Sequence, residues 1–230
     1  MENYINPLNF RKLMKFTSGS TVLDKFLEGG YEEGITTIYG PSGSGKTLFG
    51  LIAALETAKN KKVIYIDTTN SFSAERIKQL NKNKSILENI LLLKPKNFYK
   101  QKIAIEGLKE NINKDIGLII LSTISHLYRL EIAKKDVIMI NKVLASQLNC
   151  LNNIAEKNNI PVIVITGIYD DLEKKDSVKM LGGEILKMRS NCIIELKKYK
   201  TMRKALMIKP SKKEFLFKIE EKGISEVILR

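Results

Sequence analysis

One glycine-rich run carries the residues whose types and spacing fit a definite chemistry. It consists of Gly40, Pro41, Ser42, Gly43, Ser44, Gly45, Lys46 and Thr47, and it satisfies G-x-x-x-x-G-K-[ST] between the strand-like ITTIY and an apolar helical segment. Glycines let such a backbone wrap a phosphate, and its N–H groups point inward where the helix begins. Lys46 is predicted to reach the β and γ phosphates as the catalytic cation, and Thr47 to offer its hydroxyl to Mg²⁺. The run therefore predicts a site for ATP with Mg²⁺, and the alternative is a glycine-rich turn that opens a helix.

A second candidate chemistry lies in the basic segment at residues 186–213, which carries ten Lys and Arg against one acid, Glu195. Such a segment can follow the phosphates of a nucleic acid, and the DNA-binding candidates are Lys197, Lys198, Lys200 and Lys204. The whole chain has 39 basic and 25 acidic residues, a formal charge of +14, yet only six of the 39 are Arg. Because base readout favours bidentate Arg, we expect DNA binding without sequence preference. The alternative is a solvated, lysine-rich surface.

Short apolar runs alternate with longer segments of helical spacing, and these elements must position both candidate sites. Strand-like runs lie at residues 35–39, 63–66, 90–93, 118–121 and 162–165, and the clearest helical segments are 48–59 and 138–157. This alternation predicts an α/β fold with a mostly parallel central sheet flanked by helices on both faces. Four closely spaced runs after Gly182 and Gly183 predict an antiparallel C-terminal extension, at residues 192–196, 205–208, 215–219 and 227–229.

The composition excludes several classes of protein. At 43% hydrophobic, the 230 residues can bury a large core, while the apolar runs fall well short of the roughly 20 residues of a membrane span. The N-terminus has no apolar signal core. Two cysteines, Cys150 and Cys192, make neither a disulfide framework nor a zinc site. We expect a cytoplasmic protein with no membrane partner, organised as a short N-terminal segment, residues 1–17, and a single core domain, residues 18–230.

The residues around the glycine-rich run resemble the RecA/RadA recombinase family over almost the whole chain. SGSTVLDKFLEGGYEEGITTIYGPSGSGKT, residues 18–47, is similar to the opening of that core, and LIILSTISHLYR, residues 118–129, to its Walker B strand. YIDTTNSFSAERI, IPVIVITGIY and LGGEILKMRSNCIIEL resemble further strands and loops of the same core. The resemblance implies a RecA-like P-loop NTPase core. Only some 17 residues precede it, where RadA carries a helix-hairpin-helix domain, and this is similar to the archaeal RadB subgroup.

Three positions depart from that family, all on the side of ATP hydrolysis. Ser122 stands where the family has the Walker B Asp that orders Mg²⁺, and Thr69 stands where it has the acidic residue that activates water. The polar pair that senses the γ-phosphate reads Thr166-Gly167. A hydroxyl supplies no carboxylate charge and is no base near neutral pH. We therefore expect ATP binding with little or no hydrolysis, and Ser122 remains a candidate Mg²⁺ ligand beside Thr47.

Two further residues have an open interpretation. Asp67 is the nearest remaining carboxylate and could touch Mg²⁺ or its water, although the last residue of a strand is more often structural. Arg76 lies where the family places a side chain near adenine, so we include it among the ATP-binding candidates; an Arg that opens a surface helix is equally ordinary. In residues 168–180, a DNA-binding loop in the family, the charges nearly cancel.

The resemblance implies an accessory protein of homologous recombination and DNA repair. Such a protein binds ATP and single- or double-stranded DNA, works beside the RadA recombinase and could self-associate. The basic strands could also reach the γ-phosphate of a neighbouring subunit, as in RecA-like assemblies. Two alternatives stay open: a nucleotide-gated, KaiC-like regulator that acts only through protein contacts, and an active DNA-dependent ATPase with a displaced carboxylate. Salt-dependent DNA affinity tests the first alternative, and measured turnover tests the second.

Overall fold

A nine-stranded mixed sheet is the centre of the fold in the computed structural model, which describes residues 14–81, 83–170 and 178–228. The strands are β1 Lys15–Phe16, β2 Tyr31–Glu32, β3 Gly34–Tyr39, β4 Lys62–Asp67, β5 Ile90–Leu93, β6 Ile116–Ser122, β7 Pro161–Thr166, β8 Ile168–Asp170, β9 Val178–Met180, β10 Cys192–Lys198, β11 Arg203–Lys209, β12 Lys213–Glu220 and β13 Gly223–Glu226. In the large sheet they lie in the order β13-β12-β11-β10-β3-β7-β6-β4-β5. Two small antiparallel pairs, β1 with β2 and β8 with β9, lie outside it.

Helices cover both faces of this sheet, as predicted. They are α1 Thr21–Phe26, α2 Lys46–Thr57, α3 Ala74–Leu80, α4 Phe98–Asn111, α5 Ile124–Ile132, α6 Val137–Asn158 and α7 Gly183–Arg189, with a 3₁₀ helix at Lys84–Asn89. One apolar core joins the sheet to α1, α2 and α3, and a second joins its other face to α4, α5, α6 and α7. None of the helices in the described ranges is long and apolar enough to cross a membrane.

The central strands are buried on both faces because helices cover both. β3 pairs in parallel with β7, β7 with β6, β6 with β4 and β4 with β5. Every residue of β6 and β7 is buried, which explains why their sequences are continuous apolar runs without an alternating polar face. Parallel strands end at the same edge of the sheet, so the carboxyl ends of β3, β4, β6 and β7 bring their loops together there.

The four C-terminal strands form the predicted antiparallel extension. β10 pairs in parallel with β3 and antiparallel with β11, and β11, β12 and β13 continue as antiparallel neighbours. The last strand lies earlier than the predicted 227–229, because β12 and β13 meet at a two-residue turn in which Glu220 pairs with Gly223. Gly223 has φ +135°, a conformation that glycine tolerates and other residues avoid. The turn therefore fixes where the strand begins.

Part of two sequence predictions falls outside the described residues. Of the N-terminal segment at residues 1–17, residues 1–13 are not described, and most of the charged stretch within residues 168–180 is also outside the described ranges. What is described of the first segment is tied to the core. Lys15 and Phe16 pair with β2, and the backbone N–H of Ser18 donates to Asp24 of α1 at 2.7 Å.

Candidate nucleotide site

The glycine-rich run forms the loop between β3 and α2, at the carboxyl edge of the parallel strands. Gly40, Gly43 and Gly45 have φ values of +151°, +72° and +106°, in the region that L side chains rarely adopt. Gly45 is the N-cap of the 12-residue helix α2 and makes no side-chain cap. The first N–H groups of a helix lack partners within it and attract anions. The backbone thus has the geometry that the motif predicts for holding phosphate.

The C-terminal extension packs directly over this loop. A Cβ on Gly40 would lie 2.2 Å from the carbonyl oxygen of Leu196 in β10, and a Cβ on Gly45 would lie 3.4 Å from Cδ1 of Ile219 in β12. Gly45 also faces Phe217, which stacks at 5.4 Å on Phe49 of α2. Glycine at position 40 is therefore required by the contact with the neighbouring strand as well as by its backbone angle.

Lys46 lies inside the loop. Its Nζ donates to the carbonyl oxygens of Gly40 and Pro41 at 2.8 and 2.7 Å. Burial lowers the pKa of Lys46 to about 8, because the charged form loses hydration. Nearby, the Oγ of Ser44 is buried without a hydrogen-bond partner among the described residues. The cradle, the ammonium and the unpaired hydroxyl suit a phosphate group, so the residues present fit ATP.

The residues at the hydrolytic positions fit a tightly held Mg²⁺ less well than the loop fits a phosphate. Ser122 is the last residue of β6 and is fully buried. Its hydroxyl lies near the hydroxyl of Tyr65. Neither hydroxyl has a hydrogen-bond partner within the described ranges. Burial raises the pKa of Tyr65 beyond its usual range. Thr69 is exposed. Across the described residues no group of three His, Cys, Asp or Glu side chains is arranged to hold a metal ion. The two predicted Mg²⁺ ligands, Thr47 and Ser122, are both neutral hydroxyls.

Asp67 is used by the fold. Its carboxylate is 1% exposed and accepts backbone N–H groups from Thr69 and Ser71, both at 3.1 Å, and from Phe72 at 2.9 Å. These bonds hold the loop between β4 and α3, which contains Asn70 in a left-handed conformation with φ +54°. The structural interpretation of Asp67 is the one that its contacts support.

The remaining polar residues at this edge join neighbouring loops. Thr166, in the pair where the family senses γ-phosphate, donates its hydroxyl to the carbonyl of Leu181 at 2.9 Å. The N–H of Gly167 donates to the hydroxyl of Ser125 at 2.9 Å. A third hydrogen bond of this kind was not predicted from the sequence: the Thr68 hydroxyl donates to the carbonyl of Thr123 at 2.7 Å.

Arg76 holds the C-terminal hairpin to α3. Its guanidinium donates to the carbonyl oxygens of Glu220 and Glu221 at 2.6 and 3.0 Å and to Gln79 at 2.8 Å. The two carbonyls belong to the turn between β12 and β13, whose Ile219 covers the start of α2. The contact with adenine stays a prediction, and the structure adds an anchoring role beside it.

The four lysines predicted to bind DNA lie on two faces of the extension. Lys197 and Lys204 are cross-strand partners on its outer face. This face is turned away from the phosphate loop, which is the glycine-rich run at residues 40–47. Lys197 is 3.8 Å from Glu195, and Lys204 is 2.7 Å from Glu214. Lys200 lies in the turn that joins β10 to β11.

Lys198 lies on the opposite face, beside the phosphate loop. A Cβ on Gly43 would be 3.4 Å from its Nζ. Its cross-strand partner Arg203, which sequence reasoning did not single out, donates through Nε to the Gly43 carbonyl at 3.3 Å. Strand alternation from Leu196 could have placed Lys198 on this face, but the pairing with Arg203 depends on the register of β10 and β11.

Comparison with known proteins gives one consistent family. The sequence profile of the Rad51 family matches residues 9–227. The DNA repair and recombination protein RadB of Methanocaldococcus jannaschii is 36% identical over 212 residues, which cover 88% of this chain and 98% of that protein. The RadB protein of Methanobrevibacter smithii is 35% identical over 232 residues, covering 94% and 97%. A crystal structure of the RadB recombinase superimposes with a TM-score of 0.77 at 32% identity, covering 92% of this chain and 99% of that one.

The network around Asp67 predicts a loss of stability that is independent of metal. Asp67→Ala leaves three N–H groups without their acceptor and should lower the free energy of unfolding by about 2 kcal/mol, measured by urea denaturation. Asp67→Asn keeps one acceptor oxygen and should lose less. If Mg²⁺ alone stabilised the wild type and Asp67→Ala abolished that effect, Asp67 would be a metal ligand after all.

The lowered pKa of Lys46 predicts that nucleotide binding is linked to protons. Phosphates favour the ammonium form, so the pKa of Lys46 should rise on binding. Above its free-state value of about 8, ATP affinity should fall by up to about tenfold per pH unit, with proton uptake measured by calorimetry in two buffers of different ionisation enthalpy. Lys46→Arg, which stays charged, should lose this slope whatever its absolute affinity. Proton-independent binding by the wild type at pH 9 would contradict the prediction.

Proposed function

The chain belongs to the Rad51 family and to its RadB group, and we propose that it is an ATP-binding accessory protein of DNA recombination and repair that hydrolyses ATP slowly or not at all. Its relatives are named DNA repair and recombination proteins. Within this family the proposed roles of the residues follow the geometry of the site. We propose that the phosphate loop from Gly40 to Thr47 holds the phosphates, that Lys46 neutralises them, and that Arg76 contacts the adenine.

One observation carries the proposal: the phosphate-binding backbone is complete while the hydrolytic carboxylates are replaced. The left-handed glycines, the half-buried Lys46 and the N-terminus of α2 support this proposal. Ser122 and Thr69 present hydroxyls, and Asp67 is engaged by three backbone N–H groups. ATP needs only the first set of groups to bind, whereas its hydrolysis needs a positioned water and a base. Mg²⁺, when it accompanies ATP, would meet Thr47 and Ser122.

The DNA part of the proposal rests on the outer face of the extension. Lys197 and Lys204 face each other across β10 and β11, where like charges are unfavourable, and Lys200 extends the positive charge into the turn. Phosphate contacts of this kind give affinity without sequence preference. The partner we propose beside DNA is a recombinase of the RadA type, since the relatives are named for recombination.

A nucleotide-gated adaptor that acts only through protein contacts is the second candidate. The glutamates Glu195 and Glu214 already lie within 3.8 and 2.7 Å of Lys197 and Lys204, so part of the charge on the outer face is neutralised. Pull-down of purified RadA from the same source, with and without ATP, tests the recombinase contact that both candidates share. DNA affinity then separates them.

Turnover of ATP should be close to undetectable although binding is retained. Losing a general base typically costs about 10² to 10⁴ in rate, and both carboxylate positions are changed. Lys46→Ala should weaken ATP binding by more than about tenfold in a folded protein.

Thr69→Glu combined with Ser122→Asp should raise DNA-stimulated turnover above the wild type. Sedimentation of the same variant shows whether its assembly has changed. Brisk Mg²⁺-dependent hydrolysis by the wild type, abolished by Lys46→Ala, would overturn the proposal.

DNA binding should depend on the outer face and on salt. The triple variant Lys197→Ala, Lys200→Ala, Lys204→Ala should weaken binding to single- and double-stranded DNA alike. The slope of log affinity against log salt should flatten by about 0.9 for each duplex phosphate that the protein no longer neutralises. Fluorescence anisotropy over a salt series measures both. A control matched in charge is Lys59→Ala with Lys102→Ala and Lys135→Ala, three lysines in local i,i+3 or i,i+4 ion pairs; an equal effect in the control would assign the binding to overall charge.

A further inference from the structure

The hairpin of β10 and β11 carries two successive pairs of like charges. Lys197 faces Lys204 on the outer face, and Lys198 faces Arg203 on the face of the phosphate loop. Like charges directly opposite each other weaken a strand pair. On the outer face two glutamates offset the repulsion. Within the ranges that the structure describes, neither Lys198 nor Arg203 has an acidic side chain within salt-bridge distance, so this pair keeps its full charge.

The uncompensated pair lies against Gly43, in the middle of the phosphate loop. Nζ of Lys198 is 3.4 Å from the position of a Cβ on Gly43, and Nε of Arg203 donates to the Gly43 carbonyl at 3.3 Å. Lys46 lies within the same loop, against the carbonyls of Gly40 and Pro41. Three cations from one chain therefore lie against a single short loop. The guanidinium keeps four further N–H donors besides the Nε that contacts Gly43.

The carboxylate of a metal-dependent phosphate site is missing at the ends of β6 and β4, which lie on the other side of β3 from β10. Ser122 supplies a buried, unpartnered hydroxyl, and the carboxylate of Asp67 is occupied by backbone N–H groups. Mg²⁺ prefers near-ideal octahedral oxygen ligands and is usually bound through one or two carboxylates plus substrate phosphates. The described residues around the loop therefore include three cations, Lys46, Lys198 and Arg203, and no carboxylate free to hold a metal.

From this balance we infer that the site binds nucleoside triphosphate without Mg²⁺, with Lys198 and Arg203 of the same chain taking the charge-neutralising role of the metal. The inference rests on the proposed binding of ATP and adds two residues and a metal requirement to it. Free ATP carries more negative charge than its Mg²⁺ complex. A site with three cations and no available carboxylate attracts the free form more strongly. Mg²⁺ should thus leave ATP affinity unchanged or weaken it, the reverse of a site with a Walker B carboxylate.

The test is ATP binding to the full-length protein by titration calorimetry, at fixed ionic strength, once with excess Mg²⁺ and once with EDTA. We expect equal or tighter binding in EDTA. Lys198→Ala and Arg203→Ala should each weaken binding in EDTA by about tenfold, with a smaller loss in Mg²⁺, because the metal then supplies part of the missing charge. The matched control is Lys218→Ala, an exposed lysine on the opposite face of the adjacent strand β12; it should change neither value.

Each other outcome has a distinct meaning. If ATP binds in neither condition, the proposed function itself fails. If ATP binds well only with Mg²⁺, the proposed function stands and the inference is overturned. Variants at Lys198 and Arg203 that keep ATP affinity in EDTA but lose DNA affinity would also overturn it and would assign the pair to DNA. Ser122→Asp, where it folds, should make ATP binding favour Mg²⁺, which a purely structural serine would not predict.

Discussion

The contact on which the site depends is the close approach of Gly40 to the backbone of Leu196. A Cβ at position 40 would lie 2.2 Å from that carbonyl oxygen, so the phosphate loop and β10 fit together only because position 40 has no side chain. This contact places the antiparallel extension against the loop, and the register of the extension then brings Lys198, Arg203 and Ile219 to it. The candidate nucleotide site is therefore built from the loop after β3 and from the C-terminal extension, and changes in the extension reach the phosphate loop directly.

The parts of the fold that the sequence predicted are those governed by local patterns. Buried parallel strands read as apolar runs, and the phosphate loop is specified by its own glycines, so β3, β4, β5, β6, β7 and α2 lie where they were predicted, within a few residues. The last strand was misplaced, since its start depends on the turn at Gly223. The division of the lysines between two faces follows from strand alternation and could have been predicted, whereas the pairing of Lys198 with Arg203 depends on the register of β10 and β11, which no local pattern encodes. The role of Asp67 likewise depends on a loop that folds back onto its carboxylate.

Two of the residues that replace the family's hydrolytic groups, Thr166 and Gly167, hold loops together, as does the neighbouring Thr68. Thr166 and Gly167 tie the end of β7 to Leu181 and Ser125, while Thr68 joins the loops after β4 and β6. Because buried polar atoms are costly when unpaired, the exceptions are informative. The hydroxyls of Ser44, Ser122 and Tyr65 lack partners within the described residues. All three hydroxyls are on the α2 side of the sheet, where the predicted phosphates would lie. At this part of the carboxyl edge the protein fold leaves polar groups without hydrogen-bond partners.

The two faces of the β10–β11 hairpin share one electrostatic constraint. The like-charge pairs Lys197–Lys204 and Lys198–Arg203 are adjacent along the same two strands, and only the first pair has glutamates that offset its repulsion. An anion bound at either pair lowers the repulsion that the hairpin must bear. A ligand that binds the folded state alone stabilises it by RT ln(1 + L/Kd), where L is the free ligand concentration. A triphosphate in the loop would thus stiffen the strands that present Lys197 and Lys204 on the outer face, without moving a subunit or breaking a bond. In a site with no carboxylate for hydrolysis, this stabilisation lasts as long as the nucleotide stays bound.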